Sequence, residues 1–207
     1  MDSDAVVIAA ISVTCMVAAL GAFAMFLAGL VLRRYSLCHG YSYTPGRLEF
    51  LRAPRGHVLR GTYGGHSFVL RYGLGDFLAE HGEAFPTSLS FKLVQPLPGE
   101  FRIFPAWPVS RRRLRTGDRD FDSWIRVEGS PHAFALHLLS DHDLRRTIRR
   151  VVSPVVFFTS RLNLTRAGSI TVRHRSLFIS SASINRDLRL LHSIAERVHA
   201  FHEQPGT

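Results

Sequence analysis

The chain has 207 residues, 46% hydrophobic and 11% aromatic, with 26 Lys plus Arg against 16 Asp plus Glu for a net charge of +10. That apolar content excludes a disordered chain, and the length suits one domain rather than several. Two cysteines exclude a disulfide framework, and 25 arginines against the single Lys92 read as a composition bias more than as selection for guanidinium chemistry.

The first element runs from Ala5 to Leu32 without one charge. As a helix rising 1.5 Å per residue it would measure about 42 Å, more than the roughly 30 Å hydrocarbon core of a bilayer. It therefore reads as one transmembrane helix that spans with tilt. A cleaved signal peptide would open on positive charge and carry an apolar stretch about half as long; here the chain opens Met-Asp-Ser-Asp. Arg33 and Arg34 follow the span directly, and the positive-inside rule then puts residues 1–4 outside and the body of the protein in the cytoplasm. A single-pass protein of the cell inner membrane is expected. Ala24 and Ala28 offer small residues for pairing with a second copy within the bilayer.

Residues 33–47, RRYSLCHGYSYTPGR, read as a short tether. Within it Cys38 is a candidate for juxtamembrane acylation. Residues 48–203 then have the size of one soluble domain with its own core, and residues 204–207 are expected to fray.

The stretch Arg60–Leu70, RGTYGGHSFVL, sets three glycines between apolar runs. A phosphate loop would need a lysine or a helix start behind its glycines. Gly56–Thr62 has the glycine frame of such a loop but Thr62 in the lysine position, and Gly73–Leu78 lacks the third glycine of a dinucleotide fingerprint. A two-residue turn at Gly64-Gly65 fits better. It pairs Tyr63 with His66, Gly61 with Phe68, Leu59 with Leu70 and His57 with Tyr72. Leu59, Tyr63, Phe68, Leu70 and Tyr72 then share one face, and Arg60, Thr62, Ser67 and Arg71 the other, as a half-buried sheet requires. Gly61 lies where the Phe68 ring can cover it.

Alternation in TSLSFKLVQ, EFRIF and FDSWIRVEG predicts further strands, then SPHAFALHLLS and SDHDLRRTIRRVV read as helices. Ser140 or Asp141 is the candidate cap of the second, with Asp143 in its first turn. Strands at VVFFTS and SITVRHRS follow, joined through RAG, and NRDLRLLHSIAERVHAF closes as a helix with Leu191, Ile194, Val198 and Phe201 on one side. This order predicts an α+β fold, a mainly antiparallel sheet with helices on one face.

The candidate binding residues are basic. Arg145, Arg146, Arg149 and Arg150 form a stripe opposite Leu144, Ile148 and Val152, and Arg111, Arg112 and Arg113 add a second cluster. Both are candidate contacts for anionic lipid headgroups at a membrane surface, or the exposed side of an ordinary packed helix. No alternation of basic and aromatic residues points to nucleic acid. His192, Glu196, His199 and Glu203 lie along one stripe of the last helix, but ligands one turn apart need a third group from elsewhere, so the stripe reads as a solvated face. No nucleophile motif is present, and Ser140–Asp143, SDHD, merely clusters triad residue types. No catalytic residue, metal or cofactor is expected, and an unidentified protein partner is.

LRGTYGGHSFVL, TSLSFKL, FDSWIRVEG, DHDLRRTIRRV and GSITVRHR in this order resemble the layout of bacterial membrane-anchored domains of unknown function. Those combine an anchor, an RGxYxGR-like hairpin, an FD or FE corner and a terminal helix. The resemblance implies architecture over about residues 48–201, with His66 standing where Arg is more usual. It carries no catalytic residues. The expected role is a membrane-anchored, non-enzymatic interaction or scaffold protein, with an anionic-lipid-binding domain or an enzyme at the membrane surface as the alternative.

Overall fold

The computed structural model describes residues 3–46, 56–73, 87–106, 114–152, 160–176 and 178–203. A long helix α1 (Ser3–His39) leads into strand β1 (Ser42–Thr44) and the hairpin β2 (His57–Tyr63) and β3 (His66–Tyr72), followed by β4 (Thr87–Lys92) and β5 (Glu100–Pro105). A short helix α2 (Arg119–Trp124), strand β6 (Ile125–Ser130) and helices α3 (His132–Leu138) and α4 (His142–Val151) come next. Strands β7 (Ser160–Thr165) and β8 (Ser169–His174) and the helix α5 (Ser181–Glu203) complete the chain. The strands form one antiparallel sheet of eight in the order β1-β2-β3-β4-β8-β7-β5-β6.

The hairpin has the register that its turn chemistry predicts, from Tyr63 opposite His66 to His57 opposite Tyr72. Gly64 and Gly65 both take positive φ, 54° and 82°, which a primed turn demands. A Cβ on Gly61 would collide with Phe68 and also with Tyr41, so this glycine seats two rings rather than one.

One face of the sheet is the core face. Leu59, Phe68, Leu70, Tyr72, Leu89, Phe91, Phe101, Ile103, Ile125, Val127, Leu162, Leu164, Ile170 and Val172 are buried there against α1, α3, α4 and α5. Helix α5 crosses β4 and β8, burying Leu188, Leu191, Ile194 and Val198, while Phe201 meets Phe134 of α3 edge-on at 5.0 Å. The architecture is thus α+β, with helices on one side of an antiparallel sheet.

Two sequence expectations need correction. The expected strand FDSWIRVEG begins as helix: the Asp118 carboxylate accepts the Phe121 amide at 3.1 Å and caps α2, and only Ile125 onward is strand. Of the strand expected at VVFFTS, residues 155–159 lie outside the described residues; its last residue, Ser160, opens the observed strand Ser160–Thr165, where Leu162 and Leu164 alternate with polar residues. The stretch expected as a tether is helix through His39 and strand over Ser42–Thr44. The turn between them is a Schellman-type stop, with Gly40 at φ 69° and the Tyr41 amide donating to the Ser36 carbonyl at 3.0 Å. Helix α4 is capped by Asp141, which accepts the Asp143 amide at 2.7 Å and the Leu144 amide at 3.2 Å. The expected tail, 204–207, lies outside the described residues.

Candidate functional site

Helix α1 is long and apolar enough to cross a membrane, and it changes character along its length. Its first half is exposed all round: Val6, Ile8, Ile11, Met16 and Leu20 project outward. The one hydroxyl there whose bond is resolved, Thr14, donates to the Ala10 carbonyl at 2.8 Å and so is satisfied within the helix. From Ala24 onward one side is buried. Ala24, Met25, Ala28, Leu32, Tyr35 and Ser36 pack on the domain, while Phe23, Phe26 and Leu30 on the opposite side stay more than half or about half exposed at 57%, 61% and 50%.

This division accounts for the excess length of the apolar run. About 20 residues, 5–24, already measure about 30 Å, which is enough to cross a bilayer. The remaining turns dock against β1, β2 and α5. Ala24 and Ala28 therefore face the protein's own domain and are not available for pairing with a second copy.

Polar contacts fix the joint. His57, in the first position of β2, is buried under α1, and its Nε2 lies 3.1 Å from the Met25 carbonyl. The Gly46 amide donates to Nδ1 at 2.9 Å, and the Tyr43 hydroxyl lies 2.8 Å from the same nitrogen. Since Nδ1 accepts, Nε2 carries the proton and donates to Met25. Gly29 has no Cβ to obstruct this ring; one there would approach it to 2.8 Å. Further along, Tyr35, His39 and Tyr41 stack in sequence at 4.1 and 5.5 Å, Tyr41 meets Phe68 edge-on at 4.9 Å over Gly61, and the Tyr35 hydroxyl donates to Asn185 Oδ1 of α5. Helix α1 is thereby fastened to both the sheet and α5.

Burial pushes the His57 pKa below its ordinary 6.5, because the charged ring would lose water beneath α1. The unfolded chain then binds a proton that the folded one refuses. Stability from this group is complete above about pH 6.5 and falls as pH drops towards the lowered folded value. Thermal melts between pH 7.5 and 5.5 should show this loss, and His57→Gln should flatten it; an identical slope in the variant would assign the loss to other histidines.

The second surface is the sheet face opposite the core. Arg60, Arg71, Lys92, Arg102, Arg126, Arg161 and Arg173 occupy its strand positions, against Glu100 and Glu128. Arg71, Ser88, Arg173 and Arg161 follow one another across four strands. At the β5–β7 end a groove of about 610 Å³ is floored by Phe104, with the Arg126 and Arg161 guanidinium groups 5.3 and 5.9 Å from its ring centroid. Glu100 and Glu128 line the same groove, and Arg126 pairs with Glu128, so the cationic side chains at this end are partly neutralised within the fold.

The predicted basic stripe on α4 is partly spent within the fold. Arg145 Nε pairs with Asp118 Oδ2 at 3.0 Å and its NH1 donates to the carbonyls of Leu139 and Ser140. Asp118 is held below its ordinary pKa, first by the Phe121 amide and then by Arg145. Arg149 pairs with Asp120 and lies 5.8 Å from the Trp124 ring. These two arginines bind α2 to α4, and Arg146 and Arg150 remain exposed. Arg111, Arg112 and Arg113 lie outside the described residues.

A buried polar line was not foreseen. Ser160 Oγ lies 2.6 Å from His174 Nδ1, and His174 Nε2 lies 2.6 Å from Asp187 Oδ2, while Arg186 Nε donates to the other carboxylate oxygen, Oδ1, at 3.3 Å. Ser160 and His174 face each other as the outer pair of the β7–β8 hairpin, which its register could have disclosed. None of the residues in SDHD takes part. The order is reversed relative to a hydrolytic triad, where the carboxylate holds Nδ1 and Nε2 serves the serine. Ser160 is 3% exposed, and the adjoining cavity, about 100 Å³, is below the size of ordinary substrate pockets.

The chain is similar in fold to a mycobacterial transport factor. The crystal structure of trehalose monomycolate transport factor A, TtfA, matches with a TM-score of 0.54 over 82% of this chain and 93% of that one, at 10% identity. At that identity the likeness to TtfA concerns the fold. No family model matches the chain, and no curated protein does.

Proposed function

We propose that the protein is a single-pass, membrane-anchored, non-enzymatic interaction module of the cell inner membrane, with its domain on the cytoplasmic side. One observation carries this reading: α1 is continuous from an exposed apolar half into the buried core of the domain. An anchor built this way holds the domain in a fixed pose against the bilayer, which suits presenting a surface rather than reaching for a substrate. The fold shared with TtfA, a protein named as a trehalose monomycolate transport factor, supports an accessory role at a membrane. The basic sheet face favours an anionic contact, either lipid headgroups or the acidic surface of a partner.

The native cysteines test the topology. Cys15 lies in the exposed apolar half of α1 and Cys38 near its end, and both are free. In a Cys15→Ala variant, a membrane-impermeant maleimide should label Cys38 only after the cells are permeabilised, and the protein should resist carbonate extraction. Labelling of intact cells would reverse the orientation, and carbonate release would remove the span.

A further inference from the structure

We infer that His66, His192 and Glu196 form a binding site for a divalent transition metal of the zinc class, clipping the tip of the β2–β3 hairpin to α5. The hairpin register puts His66 directly after the glycine turn and on the core face, the side that α5 covers. His192 and Glu196 stand one turn apart on α5 and face that tip. The third ligand that the helix stripe lacks by itself therefore comes from the hairpin.

The three donor atoms already lie within 4.8 Å of one another. Glu196 Oε1 is 3.7 Å from His66 Nε2 and 3.9 Å from His192 Nδ1. Ligand bonds of about 2.0–2.1 Å in a tetrahedron place donors about 3.4 Å apart. Closing the site thus takes donor displacements of under about 1.5 Å, which rotation of the exposed Glu196 and small adjustments of the two partly buried imidazoles supply. Two imidazoles and one carboxylate suit zinc, cobalt or nickel and disfavour the oxygen-seeking magnesium and calcium. Glu196 is the exposed member, so the fourth position opens to water.

Two further features distinguish this trio from a casual surface ion pair. His192 Nδ1 is buried and has no hydrogen-bond partner, a cost that a bound cation would remove. The rings are also held in place before any ion arrives. His66 lies against Phe91 at 5.9 Å, and Tyr63 meets His192 edge-on at 5.8 Å. A Cβ on Gly64 would come within 2.5 Å of Nδ1, so the turn glycine makes room for the imidazole as well as for the turn. His199 and Glu203, the rest of the helix stripe, pair with each other at 3.1 Å in solvent and contribute nothing to the trio.

The full chain, purified in detergent with a tag free of histidine and stripped with EDTA, should be titrated with zinc and with cobalt. One equivalent should bind, cobalt should develop the intense visible absorption of a tetrahedral site, and zinc should raise the melting temperature while magnesium leaves it unchanged. His66→Ala and Glu196→Gln should each weaken binding by at least about 10–100-fold, the range seen when even outer-shell partners are removed. Glu196 is exposed, so its variant reports on binding even where an imidazole variant misfolds. The His199→Ala, Glu203→Gln double variant should bind as the parent does. No tetrahedral cobalt spectrum, or zinc binding that survives Glu196→Gln and His66→Ala, would overturn the site.

Discussion

A chain that begins at residue 41 should fail to fold, whereas one that begins at residue 22 should fold as the domain does in the full protein. The first removes Met25, Leu32 and Tyr35 from the core, each contributing about 1.5–3 kcal/mol by burial. Their sum approaches the whole stability of an ordinary domain, about 5–15 kcal/mol. It also strips His57 of the Met25 carbonyl and uncovers Leu59 and part of α5. The second chain keeps every one of these contacts. Its Phe23, Phe26 and Leu30 remain exposed, and changing Phe26 and Leu30 to Gln should keep it monomeric without touching the core. Cooperative thermal melts and size-exclusion profiles distinguish the two. A cooperative, monomeric transition from the chain lacking residues 1–40 would show that α1 is a mere anchor after all.

Why the sequence conceals that joint is instructive. The docking residues Ala24, Met25, Ala28, Leu32 and Tyr35 follow helical spacing, but on a background that is apolar all round, where periodicity gives no contrast. YSLCHGYSYT then looks polar and turn-rich, although Tyr35, His39 and Tyr41 stack within it. Where contrast existed the reading was sharp. The Gly64-Gly65 turn and strict alternation specified every pair of the β2–β3 hairpin, since a slip by one residue would have mixed the faces. Helix α2 was hidden because aromatic residues in FDSW carry strand preference, and the Asp118 cap outweighed it.

Side-chain constellations were less legible than strands. Nothing local announces that Arg145 will meet Asp118, or that His66 will meet His192 and Glu196, because each set joins elements far apart in the chain. His57 was placed opposite Tyr72 by the register, yet its burial depends on α1, which the sequence assigned to the membrane alone. The signal available in both cases was the face on which the hairpin register puts each histidine.

Asp187→Ala should produce the largest loss of stability from any single polar substitution in the domain. Asp187 and His174 are buried, with 6% and 12% of their side chains exposed, and removing the carboxylate leaves the imidazole and the Ser160 hydroxyl without their anchor. Breaking a buried pair of this kind costs about 3–5 kcal/mol. At about 2–4 °C per kcal/mol for a chain of this size, the melting temperature should drop by about 10 °C. Ser160→Ala, which removes one hydrogen bond, should cost only about 1 kcal/mol. An enzymatic role for the same three residues predicts a different outcome: a fluorophosphonate probe would label Ser160, and Asp187→Ala would abolish labelling with little change in melting. The reversed order on the imidazole and the burial of Ser160 argue for no labelling and a large drop. These residues then act as a polar brace between the β7–β8 hairpin and α5, the helix that also receives Tyr35 of α1, so the brace supports the platform on which α1 is seated.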